Sequence, residues 1–272
     1  MNAITLNIAL PLLTAFLLPI ISSHSTSFGR WLGPMALSAM LVIALQHFIA
    51  IDAPQMVALG GFLPPMGISF HVDRLALIML IAIPLLLLLL WPYGKTKARE
   101  EALLLLLSAA ASGMALSGDL FNIYVFYELL SVASFGLAAA NRTAGAFAAS
   151  FRYVVLSSLG TVLALTGIAL IYTQTGTLNL AQIGMLSAQL QNPAGFTAFI
   201  LIVIGVGVKA ELFPMNGWVA EVYSTATARV TSIFAGLVSK LAVLVMVRLL
   251  VVAYGNSDVS NLLLVLGMLG IL

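Results

Sequence analysis

A chain of 272 residues that is 62% hydrophobic and only 7% charged is excluded from the water-soluble class, whose members carry about 25% charged residues to cover their surface. A formal net charge of +2 gives no basic field for nucleic acid, and the absence of cysteine removes disulfides, thiolate metal sites, cysteine-held iron–sulfur clusters and thiol catalysis together. The composition instead implies an all-α fold: a polytopic transmembrane helix bundle in contact with a lipid bilayer.

In chain order, a window of about 20 residues finds apolar segments at roughly 4–21, 31–51, 72–93, 102–117, 118–140, 150–174, 196–222, 227–254 and 259–272, hence eight to nine helices. The first, in MNAITLNIALPLLTAFLLPII, has no basic n-region and is long enough to span, so it is expected to be a retained helix and not a cleaved signal. Ser117, Gly118 and Asp119 make a tight connection between segments four and five. The uncharged stretch 175–194 reads as a short amphipathic surface helix or a loop. Segment seven is too long for a simple span, and Pro214 interrupts it. A proline removes a backbone hydrogen bond and clashes with the preceding turn, so a broken helix is expected at about 196–222. Such breaks are tolerated at membrane depth where they line protein or water. Segment nine is incomplete. These boundaries suggest three units: residues 1–101 with helices one to three, a five-helix repeat at 102–254, and the start of a further helix at 255–272.

Basic residues outside the spans set the expected orientation. Arg30, then Lys95, Lys97 and Arg99, then Arg142 and Arg229 follow segments one, three, five and seven, whereas the opposite connections carry Asp52, Asp73, Asp119 and Asp258 with Arg74. The positive-inside rule then places the odd-numbered loops in the cytoplasm and the N-terminus outside, with a cell inner membrane as the expected location.

Three charges fall near the centres of apolar segments: Glu128, Lys209 and Lys240. A charge at that depth costs roughly 2.5–3.5 kcal/mol on insertion scales, so it persists with a partner, with water or with a function. Along a helix, Tyr124 at i−4 and Ser131 at i+3 share the face of Glu128, with Tyr127 and Ser134 nearby, and these hydroxyls could solvate the carboxylate. The alternative for Glu128 is a neutral acid that only ties helices together. For Lys209 it is a static ion pair with Glu128 or an anchor for carbonyls freed by the break, and for Lys240 a bond to those same carbonyls. Glu211 sits two positions from Lys209, on a different helix face, and is expected to cap or line the break. Arg152, in the first turn of segment six, and Arg248, near the outer end of segment eight, both fit snorkelling to the interface, and Asp73 and Arg74 an interfacial position. His24, His47 and His71 are scattered without metal-ligand spacing, so no metal is assigned. No phosphate loop, nucleophile triad or paired-carboxylate pattern is present, so no cofactor and no catalytic residue of its own is expected.

The ordered series FNIYVFYELLSVASF, FRYVVLSSLGTVLALTGIALIY, VGVKAELFPMNGWVAEVY and VTSIFAGLVSKLAVLVMVR resembles the antiporter-like membrane subunit family. That family includes proton-pumping subunits of respiratory complex I, membrane-bound hydrogenase subunits and the large subunits of Mrp-type cation/proton antiporters. The resemblance covers residues about 72–254. It implies that Glu128 and Lys209 form a charge-coupled pair across two helices, that Lys240 is the next proton-path residue, and that Lys209, Pro214 and Trp218 mark the broken helix. Two departures stand out: Asn216 occupies the place where the family commonly has a histidine, and Thr227 and Arg229 replace family prolines. Members usually carry two inverted repeats; only the first is present here, so a truncated or split subunit is expected.

The function these readings imply is proton or cation/proton translocation by one membrane subunit of a multi-subunit complex, with Glu128, Lys209 and Lys240 as a half-channel. Tyr124, Tyr127, Ser131, Glu211, Pro214, Asn216 and Trp218 would support it. Protons, or Na⁺, would be the cargo and other membrane subunits the partners, while any oxidoreductase chemistry of an NADH–quinone or hydrogenase type would belong to those partners. A structural subunit that supports assembly without conduction is the alternative.

Overall fold

A computed structural model describes residues 3–62, 64–65, 67–93, 98–255, 264–265 and 267–268. Lys95, Lys97, Asp258 and most of segment nine lie outside the described residues. After a 3₁₀ turn at Ala3–Thr5, α1 (Leu6–His24) and α2 (Thr26–Ala50) form an antiparallel pair, followed by β1 (Gln55–Ala58) and β2 (Ser69–Val72). Then come α3 (Arg74–Leu89), α4 (Ala98–Leu116), α5 (Leu120–Ala138) and α6 (Ala144–Thr175). Short α7 (Leu180–Met185) and a 3₁₀ turn lead to α8 (Pro193–Gly207), α9 (Val219–Thr225) and α10 (Ala228–Ile233). A π-helical turn at Phe234–Val238 joins α10 to α11 (Ser239–Ala253).

The molecule is a multi-pass membrane protein built as an all-α bundle. By length and composition, Ala3–His24, Gly29–Ala50, Leu120–Ala138, Ala144–Thr175 and Ala228–Ala253 can each cross a membrane, and α3 and α8 are shorter apolar helices. Helices are the form lipid permits, because every backbone group must find its partner within the segment. Their starts are written locally. Asp119 accepts from the amides of Phe121 and Asn122, Thr143 from Ala146, Asn192 from Gly195, and Thr227 from Val230. Each such cap contributes about 1 kcal/mol. Gly176 closes α6 in the left-handed region, φ 68°.

α4 sits in the middle. Nearly every residue from Leu104 to Leu116 is buried, and it packs against α1, α2, α3, α5 and α11. Large side chains such as Phe16, Ile20, Phe147, Phe151 and Val162 are exposed and face outward, as lipid contact requires. α6 and α8 approach most closely where glycines meet: a Cβ on Gly205 would stand 2.3 Å from the carbonyl oxygen of Gly160. Only the absence of side chains lets the two backbones touch there.

At one end of the bundle β1 and β2 pair antiparallel, Gln55 opposite Val72 and Ala58 opposite Ser69. The amide of Gly118 donates to Ser69, that of Leu120 to Leu178 and that of Leu180 to Gly118, which stitches the hairpin, the α4–α5 turn and the start of α7 together. This hairpin is additional to the helices expected from hydropathy.

Two arginines differ from their expected roles. Arg248 is buried: its guanidinium donates to Asp73 Oδ1 at 3.0 Å and to the carbonyls of Ala115 and Ser117 at 2.8 and 3.4 Å. Asp73 also caps α3, accepting from Ala76 at 2.6 Å, so Arg248 ties α11 to the start of α3 and to the end of α4. Arg152 lies not in the first turn of α6, which starts at Ala144, but more than two turns in, exposed and paired with Glu221 of α9. Removing one partner of a buried pair costs about 3–5 kcal/mol, against about 0–1 kcal/mol for an exposed one. Arg248→Ala is therefore expected to lower the thermal unfolding midpoint of the purified protein strongly and Arg152→Ala barely.

Candidate functional site

α8 ends at Gly207, and residues 208–218 form turns before α9 begins at Val219. Lys209 therefore lies inside the unwound stretch. The backbone compensates locally: the amides of Lys209 and Ala210 both donate to Val206, and that of Leu212 reaches Gly207. Glu211 takes the left-handed conformation, φ 59°, and the Phe213–Pro214 bond is cis. Side chains satisfy carbonyls that the break releases. Trp218 Nε1 donates to the Val208 oxygen at 2.8 Å, and Tyr127 Oη, from α5, donates to the Gly205 oxygen at 2.9 Å.

Lys209 is fully buried. Its ammonium donates to Ser157 Oγ at 3.0 Å and to Tyr153 Oη at 3.3 Å, both on α6. It also lies 4.8 Å from the ring centre of Tyr127, 5.1 Å from that of Tyr153 and 5.5 Å from that of Phe135. Hydrogen bonds to a charged group contribute about 1.5–3 kcal/mol each and desolvated cation–π contacts up to about 2 kcal/mol. Two such bonds alone are of the size of the roughly 2.5–3.5 kcal/mol insertion cost of a central lysine, so hydroxyls and rings offset much of the cost of placing the nitrogen here.

Glu128 lies midway along α5, half-buried, and its Oε1 is buried without a hydrogen-bond partner among the described residues. Among the described residues the ion pairs are His71–Asp73, Arg152–Glu221, Arg229–Glu100 and Arg248–Asp73, none of which includes Glu128 or Lys209. Glu128 and Lys209 are therefore not in salt-bridge contact. Two of the hydroxyls expected to solvate Glu128 are turned elsewhere: Ser131 donates to Tyr127 O and Ser134 to Leu130 O, each at 2.7 Å along its own helix. Tyr124 is half-buried and stacks on Phe121, ring centres 6.0 Å apart.

A second layer surrounds Lys209. Tyr153 stacks on Trp218 with ring centres 4.0 Å apart, Trp218 meets Tyr223 edge-on at 6.2 Å, and Tyr223 Oη donates to Glu211 Oε1 at 2.5 Å. Glu211 lies in the unwound stretch and is joined by this bond to α9. Pro214 and Asn216 lie in the unwound stretch beside these groups, Pro214 exposed and Asn216 half-buried.

Lys240 stands apart from this cluster. It is exposed, at the midpoint of the Ala228–Ala253 span and two residues beyond the π-helical turn, and its ammonium donates to Ser239 Oγ at 3.2 Å. It does not reach the carbonyls of the broken helix. His24 and His47 bond their own helices, at Ile20 O and Ile43 O, while His71 Nε2 comes within 3.5 Å of Asp73 at the hairpin end.

The sequence reading missed Tyr153, Ser157 and Phe135 as site residues. A signal existed: Tyr153, Ser157, Gly160, Ala164 and Gly167 recur at intervals of three and four along α6, a polar and small stripe on one face of an apolar helix.

Comparison with known proteins converges on one family. The family described as NADH:quinone oxidoreductase/Mrp antiporter, transmembrane, matches residues 117–272. The NADH-quinone oxidoreductase subunit N of Desulforudis audaxviator is 33% identical over 274 residues, covering 96% of this chain and 54% of that relative. The structure of an archaeal membrane-bound sulfane sulfur reductase, a respiratory membrane complex, contains a chain that superposes with a TM-score of 0.92 at 31% identity, covering 99% of this chain and 58% of that one. A chain of the Mrp complex from Dietzia sp. DQ12-45-1b gives 0.86 at 30% identity, covering 94% and 50% respectively. This chain thus spans about half the length of the proteins it matches.

Proposed function

Because this chain belongs to the NADH:quinone oxidoreductase/Mrp antiporter transmembrane family, we propose that it is an ion-translocating membrane subunit of a multi-subunit complex. Protons, alone or in exchange for another cation, are passed between Glu128 and Lys209 and onward to Lys240. The observation that carries this reading is the fully buried Lys209 ammonium at a helix break, held by hydroxyls and rings beside a carboxylate whose buried oxygen has no partner. In this reading the lysine alternates between a paired and a separated state, and moving between them changes how tightly it holds its proton.

Partners follow from Lys240. An ammonium midway along an apolar helix is costly against lipid, so the α11 face that exposes it is covered by protein or water in the assembled complex. An orientation with the N-terminus outside is supported by charge segregation: Arg99, Arg142 and Arg229 gather at one end of the bundle, where Arg229 pairs with Glu100 and Asn141 bonds Thr225, while Asp52, Asp73 and Asp119 lie at the other; a cell inner membrane is the location we propose.

A structural subunit is the second reading, favoured by the close packing of three rings on Lys209. Purification of the chain with its associated subunits, followed by reconstitution and an imposed proton or Na⁺ gradient, separates the two. Ion flux by the assembled complex is expected; an intact complex that moves no ions would leave only the structural role.

A further inference from the structure

We propose that Tyr127, Phe135, Tyr153 and Ser157 form a receptor for the Lys209 ammonium that competes with Glu128, making Ser157 and Tyr153 positioning residues for ion transfer. This rests on the reading of Lys209 as a transfer residue and adds what holds it in the separated state.

The geometry argues for a receptor and not for incidental packing. Two acceptors from one face of α6, a turn apart, converge on the same nitrogen at 3.0 and 3.3 Å. Three ring faces complete the enclosure, two from α5 and one from α6. Each wall is itself fixed. Phe135 meets Tyr153 edge-on with ring centres 5.0 Å apart, Tyr153 lies flat on Trp218, and Tyr127 is pinned to Gly205 by its hydroxyl. The titratable and charged groups around this nitrogen are Tyr127 and Glu128 from α5, Tyr153 from α6 and Glu211 in the unwound stretch, with Tyr223 of α9 bonded to Glu211 and Lys240 outside the enclosure. None of the receptor's own groups carries a negative charge. It can therefore hold the cation but cannot neutralise it, which leaves Glu128 able to win it back.

A pathway that alternates between two states slows when either is destabilised, since populations shift tenfold for each 1.4 kcal/mol. Loss of one hydrogen bond to a charged group is worth at least that much. Ser157→Ala in the complete reconstituted complex is expected to lower ion flux by about tenfold. Ser157→Thr, which returns the hydroxyl, is expected to restore most of it, and Phe135→Leu, which removes a ring face, to reduce flux while Phe135→Tyr retains it. Wild-type flux in Ser157→Ala and Phe135→Leu, alongside a Lys209→Ala complex without flux, would overturn the receptor and leave the proposed function standing. A loss in Ser157→Ala that threonine does not restore, accompanied by a lower unfolding temperature, would also overturn it by assigning Ser157 to packing. Wild-type flux in Lys209→Ala would remove the underlying reading and the receptor with it.

Discussion

Lys209→Ala is expected to abolish ion flux through the assembled complex. The side chain is fully buried between α5 and α6, where its nitrogen donates to Ser157 and Tyr153 and faces the rings of Tyr127 and Phe135. Alanine removes the charge and leaves a gap among Tyr127, Phe135 and Tyr153, which in a packed interior costs about 2–5 kcal/mol. Lys209→Met separates the chemistry from the packing, because an unbranched apolar chain fills the space without a proton to give. Both variants are expected to lose flux; only the alanine variant is expected to lose stability. Native gels and unfolding temperatures of the purified complexes check the second half of that statement, and a methionine variant that conducts would contradict the first.

Glu128→Gln is the second large expectation. The amide keeps the size of the side chain but holds no charge, so Lys209 has nothing to pair with and one of the two states disappears. Flux is expected to fall to background. Folding is expected to improve slightly or stay level, because Oε1 is buried without a partner and a neutral amide is less costly in that position than a carboxylate. Flux at the wild-type rate would show that the separated carboxylate is a helix tie and not a transfer group.

Hydropathy made the helices legible, because a membrane demands long apolar runs and the charges inside them are then conspicuous. The break around Lys209 was legible for the same reason: Pro214 has a local and severe effect on the backbone. What stayed hidden depended on contacts between distant parts of the chain. Arg248 reads as a snorkelling residue until Asp73, 175 positions away, is found against it. Tyr153 and Ser157 become ligands only because α6 packs against α8, which brings them to a lysine more than fifty positions later. Ser131 and Ser134 misled for the opposite reason: in apolar surroundings a serine donates most readily to its own helix, four residues back, and so is spent before it can serve Glu128. The π-helical turn at Phe234–Val238 carries no proline to announce it, although such turns are frequent at functional sites and this one lies just ahead of Lys240.

In the proposed function, a lysine held at a helix break passes ions in an assembled membrane complex. Its most direct test is ion flux per complex in proteoliposomes, measured side by side for wild type and Lys209→Met at matched subunit composition. Flux at background in the variant, with every subunit present, is the predicted result. Flux at the wild-type rate would contradict the account.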